Sequence, residues 1–181
     1  PWNTVYLENH DQPRSVSRFG NDTQYHDESA KALATLVLTL RGTPFLYEGQ
    51  EIGMTNFDFP DMQKVRDVES INIWNIGKRL HLPRSLRWRM IKTKSRDNAR
   101  TPMQWNDSPN AGFTTGTPWL SVNGNYPRIN VAEQENAPNS VLAYYRQLIA
   151  FRNGSEILQA GDFSELYRKD GVYAYRRSLN V

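Results

Sequence analysis

The chain contains no cysteine. That excludes disulfides and thiolate-bound metals, and it fits a reducing compartment, so a cytoplasmic location is the expectation. No run of about 18 apolar residues is present, so neither a membrane-spanning helix nor a membrane partner is expected. The three histidines, His10, His26 and His81, lack metal-ligand spacing such as two residues four apart, so no metal site is expected. The opening Pro-Trp-Asn-Thr lacks an initiator Met and any leader pattern, and β-forming residues begin almost at once. A piece of a longer chain is therefore expected. Internal repeats and low-complexity tracts are also missing.

What is present is globular: 38% hydrophobic and 23% charged residues in a chain of 181. That length buries one sizeable core, or one core and part of another. Eleven Gly and ten Pro argue for long connections rather than a compact helical bundle. The net charge of +3 is local. Residues 1–77 are acidic, whereas residues 78–100 hold nine Lys or Arg against Asp97 alone. This block opens nucleic-acid binding through Lys78 to Arg100 as an alternative, but no nucleic-acid motif accompanies it.

Asn3 to Gln12 organises the rest. Thr4, Val5, Tyr6 and Leu7 read as a strand that ends in Asn9, His10 and Asp11, followed by Pro13. Strands that deliver polar groups at their carboxyl ends are how α/β proteins build sites. Arg14 to Tyr25 reads as loop. Asp27 is the expected N-cap of a helix over Ser29–Arg41, nearly apolar on all sides and stopped by Gly42 and Pro44. Thr43 to Tyr47 reads as a second strand ending in Glu48, Gly49, Gln50 and Glu51. The βαβ pattern makes the strands parallel and the crossover right-handed, with both polar clusters on one sheet edge.

Residues 52–138 form a long irregular region. It holds a short helix within Val65–Ile76, a basic and partly helical stretch over Leu82–Lys94, and loop over Ala111–Asn130. Asn139 or Ser140 caps a helix over Val141–Arg152. An antiparallel module begins near Gln159, with Asp170-Gly171 as its hairpin turn.

Three segments carry a resemblance: Glu8-Asn-His-Asp-Gln-Pro-Arg, Gly42-Thr-Pro-Phe-Leu-Tyr-Glu-Gly-Gln-Glu-Ile-Gly-Met, and Ser95-Arg-Asp-Asn-Ala-Arg-Thr-Pro-Met-Gln-Trp. Together they resemble the α-glucosidase and oligo-1,6-glucosidase branch of glycoside hydrolase family 13. The resemblance implies an α/β chain: the C-terminal part of a (β/α)₈ TIM barrel, from the seventh strand to the eighth helix, over residues 1–158. The start of an antiparallel β-sandwich domain would occupy residues 159–181. It further implies a retaining exo-acting α-glucosidase acting on an oligosaccharide. Sucrose isomerase, a trehalose-forming transglucosidase and a non-catalytic sugar-binding scaffold are the alternatives. The nucleophile and general acid of such an enzyme lie on strands this chain lacks, so the rest of the barrel is required. No cofactor is expected in this chain, because the family's calcium site also lies in the missing half.

By the same resemblance, Asp11 is the transition-state stabiliser holding sugar hydroxyls, with His10 beside it. Arg96 binds the terminal glucose, and Glu69 and Gln12 line the substrate pocket. From the residues alone, Asn-His-Asp before proline is also a turn former, Arg96 one of a basic block, and Glu69 an exposed helix glutamate. Glu48 and Glu51 are read as structural, satisfying loop backbone or pairing with arginines. Trp105, Phe113 and Trp119 could stack on sugars or anchor loops.

Overall fold

The computed structural model describes residues 2–179. Two short strands, β1 (Thr4–Val5) and β2 (Thr43–Pro44), pair in parallel with Thr4 opposite Thr43 and Val5 opposite Pro44. Thr43 N donates to Asn3 O at 2.9 Å and Phe45 N to Val5 O at 2.8 Å. The extended runs predicted to Leu7 and Tyr47 shorten because each strand is paired on one side only. Gly42 enters β2 at φ 139°, where an added Cβ would sit 2.5 Å from Asn3 O. A side chain there would push the two strands apart.

Between the strands lie α1 (Ser15–Phe19) and α2 (His26–Thr39). Two expectations are corrected here. Residues 15–19 are helical rather than loop, nucleated on the buried Arg14-Ser15-Val16. The second helix starts three residues early, and Asp27 is inside it, with its carboxylate 2.7 Å from His26 Nδ1. Ala30, Ala34, Val37 and Leu38 of α2 pack with Val16 against Val141 and Tyr145. Those last two belong to a later helix over Val141–Asn153. Burial of such a stripe supplies most of the stability of a helix of this length.

Beyond β2 the chain forms α3 (Val68–Arg79), α4 (Arg84–Lys94), α5 (Val131–Glu135), α6 (Val141–Asn153) and α7 (Glu156–Ala160). Short 3₁₀ turns join them, one over Arg96–Ala99. Helices α3 and α4 pack around Phe57, Phe59, Val65 and Ile91, with Trp74 edge-on to Trp88. Part of the basic block is used in this packing: Arg87 lies 4.3 Å over the Trp74 ring, and Lys92 pairs with Asp58. Buried side-chain amides hold the loops in place of ladders. Asn98 Oδ1 accepts from Phe57 N at 3.0 Å, and Asn123 Nδ2 donates to Thr55 O at 3.1 Å.

Helix α6 begins as predicted at the Ser140 cap, whose hydroxyl accepts from Ala143 N at 3.1 Å. Arg152, in the last turn of α6, donates to Leu38 O and Gly42 O, both at 2.7 Å, and so ties α6 to the end of α2. The C-terminal hairpin is β3 (Asp162–Lys169) against β4 (Val172–Ser178), with a bulge between Glu165 and Tyr167. Asp170 and Gly171 turn it at φ 54° and 76°, the left-handed pair a two-residue hairpin demands. Arg177 anchors the hairpin by donating to Thr39 O at 2.8 Å. Among the described residues, no helix is long and apolar enough to cross a membrane.

Candidate active site

The parallel register sends Glu8–Asp11 and Glu48–Glu51 to the same sheet edge. Arg14 fastens them there. This arginine is fully buried; its NH1 lies 3.4 Å from Glu8 Oε2, and its NH2 lies 3.4 Å from Glu48 Oε1. NH1 also donates to Glu48 O, and NH2 donates to Ala99 O at 3.2 Å. One guanidinium therefore joins both strand ends and the 96–99 turn. Ser15 Oγ donates to the other Glu8 oxygen at 2.7 Å. Burial pushes the Glu8 carboxyl above its ordinary range, and Arg14 only partly offsets this. Glu48 is raised for the same reason.

Above this base sits the polar rim. Asn9 Oδ1 accepts from Asp11 N at 2.8 Å, so the segment does make the turn its composition suggests. That turn lifts His10 and Asp11 into the open, with side chains 70% and 49% exposed. His10 Nε2 lies 3.2 Å from Asp11 Oδ2. Arg100 NH2 donates to Asp11 Oδ1 at 2.7 Å, and Arg96 NH1 stands 3.6 Å from the same oxygen. Arg96 and Arg100 are thus both folded over the strand ends, facing one oxygen of Asp11.

The partner of Arg96 is Asp67, the cap of α3, which sequence reasoning missed. Arg96 Nε and NH2 donate to Asp67 Oδ1 at 2.8 and 2.6 Å, while Ser70 Oγ donates to Oδ2 at 2.7 Å. Burial works to raise Asp67, but these hydrogen bonds, with Arg96 foremost, outweigh it and hold the carboxyl below its ordinary value. Asp97 ties the two elements further, accepting from Arg66 N and Asp67 N at 2.6 and 2.9 Å. The signal for Asp67 was present: an Asp three residues before Ser70 at a helix start is cap chemistry.

Glu69 is exposed on the first turn of α3, with Oε2 3.9 Å from Arg96 Nε, at the margin of the cluster. Gln12 is not gathered into it: its Oε1 accepts from Arg18 NH1 at 2.8 Å. Arg100, counted by sequence only as one of the basic block, is in direct contact with Asp11. Beside Arg100 opens a groove of about 490 Å³ lined by Tyr47, Glu51, Trp105, Phe113 and Trp119. The latter three aromatics are 49–69% exposed, so they are not buried loop anchors. Among the described residues, no group of three His, Asp or Glu side chains is placed to hold a metal ion.

Residues 1–161 match the Alpha-amylase family, described as the alpha amylase catalytic domain. The chain is similar to the oligo-1,6-glucosidase of Parageobacillus thermoglucosidasius, 49% identical over 181 residues, covering 98% of this chain and 32% of that relative. Among solved structures it is similar to a trehalose-6-phosphate hydrolase of Bacillus licheniformis, with a TM-score of 0.94 and 46% identity, over 99% of this chain and 32% of that one. It is also similar to an isomaltulose synthase variant of Erwinia rhapontici in complex with its natural substrate sucrose, with a TM-score of 0.93 and 48% identity, over 98% of this chain and 32% of that one. The chain thus spans about a third of the length of these relatives. With a parallel strand pair, a shared polar rim and a matched catalytic-domain family of TIM-barrel fold, this chain belongs to the alpha-amylase family.

Proposed function

We propose that the protein carrying this chain is a retaining exo-acting α-glucosidase that releases terminal α-linked glucose from maltose- or isomaltose-type oligosaccharides. The observation that carries this reading is the rim itself, where Arg96, clamped by Asp67, stands 3.6 Å from exposed Asp11. Asp11 holds sugar hydroxyls whose hydrogen bonds strengthen as the ring moves toward the oxocarbenium-like transition state. His10 donates to the same hydroxyls. Arg96 binds the terminal glucose, and Glu69 lines the acceptor side. Gln12 joins them only on release from Arg18.

Residues 1–158 serve as the barrel segment from seventh strand to eighth helix, and 159–181 as the start of the β-sandwich. The remaining strands supply the nucleophile and general acid, about 5–5.5 Å apart in a retaining enzyme. This chain alone is then inactive. The apolar residues Tyr6, Phe45 and Leu46, all exposed beside β1 and β2, support the need for those strands.

The test is incubation of the full-length protein with maltose, isomaltose and sucrose, following products by NMR. Release of glucose as its α-anomer is expected. Release of the β-anomer, or no turnover of any α-glucoside, contradicts the reading. Rearrangement of sucrose without glucose release assigns the isomerase alternative, consistent with the sucrose-bound relative.

A further inference from the structure

We infer that Arg100 is a positioning residue for Asp11, an inference that rests on the role proposed for Asp11 above. Its Nε donates to His10 O at 2.8 Å and its NH2 to Asp11 Oδ1 at 2.7 Å. One planar group therefore grips the main chain of the turn and the carboxylate it presents. Both degrees of freedom that place the carboxylate, backbone and side chain, are fixed together. Among the described residues, no other group holds both. Arg96 reaches Asp11 only at 3.6 Å and His10 at 3.2 Å, and the remaining short bond, from Asp11 N to Asn9, leaves the carboxylate itself untouched.

Arg100 is itself braced. Its backbone N donates to Asp97 O at 3.1 Å, and the preceding Ala99 is fully buried, with its carbonyl accepting from Arg14. The clamp thus stands on the same guanidinium that joins the two strand ends. The clamp lies on Oδ1 and His10 Nε2 stands 3.2 Å from Oδ2, while the carboxylate, 49% exposed, still offers an open face to sugar hydroxyls. Arg100 acts on the sugar through Asp11, so its effect falls on the step at which those bonds strengthen.

The inference separates charge from geometry. Lysine at this position keeps the positive charge but cannot span both acceptors with a rigid fork. In the full-length protein acting on p-nitrophenyl α-glucoside, Arg100→Ala should lower kcat about 100-fold, the scale of a misplacement near 1 Å. KM should stay within about threefold. Arg100→Lys should fall closer to Arg100→Ala than to wild type. In an Asp11→Asn background, Arg100→Ala should cost less than about threefold more, because coupled residues are non-additive.

Wild-type kcat in Arg100→Lys overturns the inference by showing that charge suffices. An equal loss from Arg100→Ala with and without Asp11→Asn overturns it by showing a general structural role. A wild-type protein inactive on every α-glucoside removes the underlying function and this inference together. An active wild type with an indifferent Arg100→Lys removes the inference alone.

Discussion

Arg96 spends two of its nitrogens, Nε and NH2, on a single oxygen of the buried Asp67, and this leaves NH1 directed at Asp11 3.6 Å away. The pair aims a charge from the irregular region onto the end of the first strand. Replacing Arg96 with Lys removes the fork while keeping the charge. The expected result is a rise of about 10–100-fold in KM for p-nitrophenyl α-glucoside, the range of one charged hydrogen bond. Unchanged KM would show that the guanidinium does not reach the sugar.

The same pair makes stability depend on acid. Asp67 titrates below its ordinary value in the folded protein, with its hydrogen bonds to Arg96 and Ser70 outweighing burial. Its contribution is therefore complete above the unfolded value near about 3.9 and is lost as pH falls through the depressed folded value. Asp67→Asn should be less stable than wild type at neutral pH, with the gap closing in strong acid. Urea midpoints measured from pH 7 down to pH 2 check this. A gap that stays constant across the range contradicts it.

Arg14 underlies the whole rim. Removing it leaves Glu8 buried beneath the strand ends with only Ser15 to satisfy it. Arg14→Met should cost about 3–5 kcal/mol of unfolding free energy, the range for breaking a buried pair. Adding Glu8→Gln should recover part of that loss. Denaturant titration of the two variants tests both statements, and a double variant no better than the single one would show that Glu8 is not the strained partner.

How far the residue order led can be judged from these same positions. The parallel pair, the Ser140 cap and the Asp170-Gly171 turn were legible because each obeys a local rule. Helices of five residues, α1, α5 and α7, were not, since their positions depend on packing rather than on periodicity. Residues 52–138 are organised by buried amides such as Asn98 and Asn123, whose partners lie 41 and 68 residues away in sequence. No spacing rule reaches that far. Arg100 was hidden for a related reason: nothing among the nine basic residues spread over 78–100 marks which one turns back toward residues 10 and 11.

Isolated from further strands, the chain exposes Tyr6, Phe45 and Leu46 beside two strands that are each paired on one side only. Expressed alone, it should self-associate. Light scattering across a concentration series measures this. A soluble monomer with a sharp, reversible thermal transition is the contrary outcome.

The central claim is that the rim joining the two strand ends is a sugar pocket centred on Asp11. It is tested most directly by kcat/KM of the full-length protein on p-nitrophenyl α-glucoside, with and without Asp11→Asn. The account predicts an active wild type and a loss of about a hundred- to a thousandfold in the variant, the scale seen when one preorganised transition-state contact is removed. A variant that keeps most of the wild-type activity would contradict it.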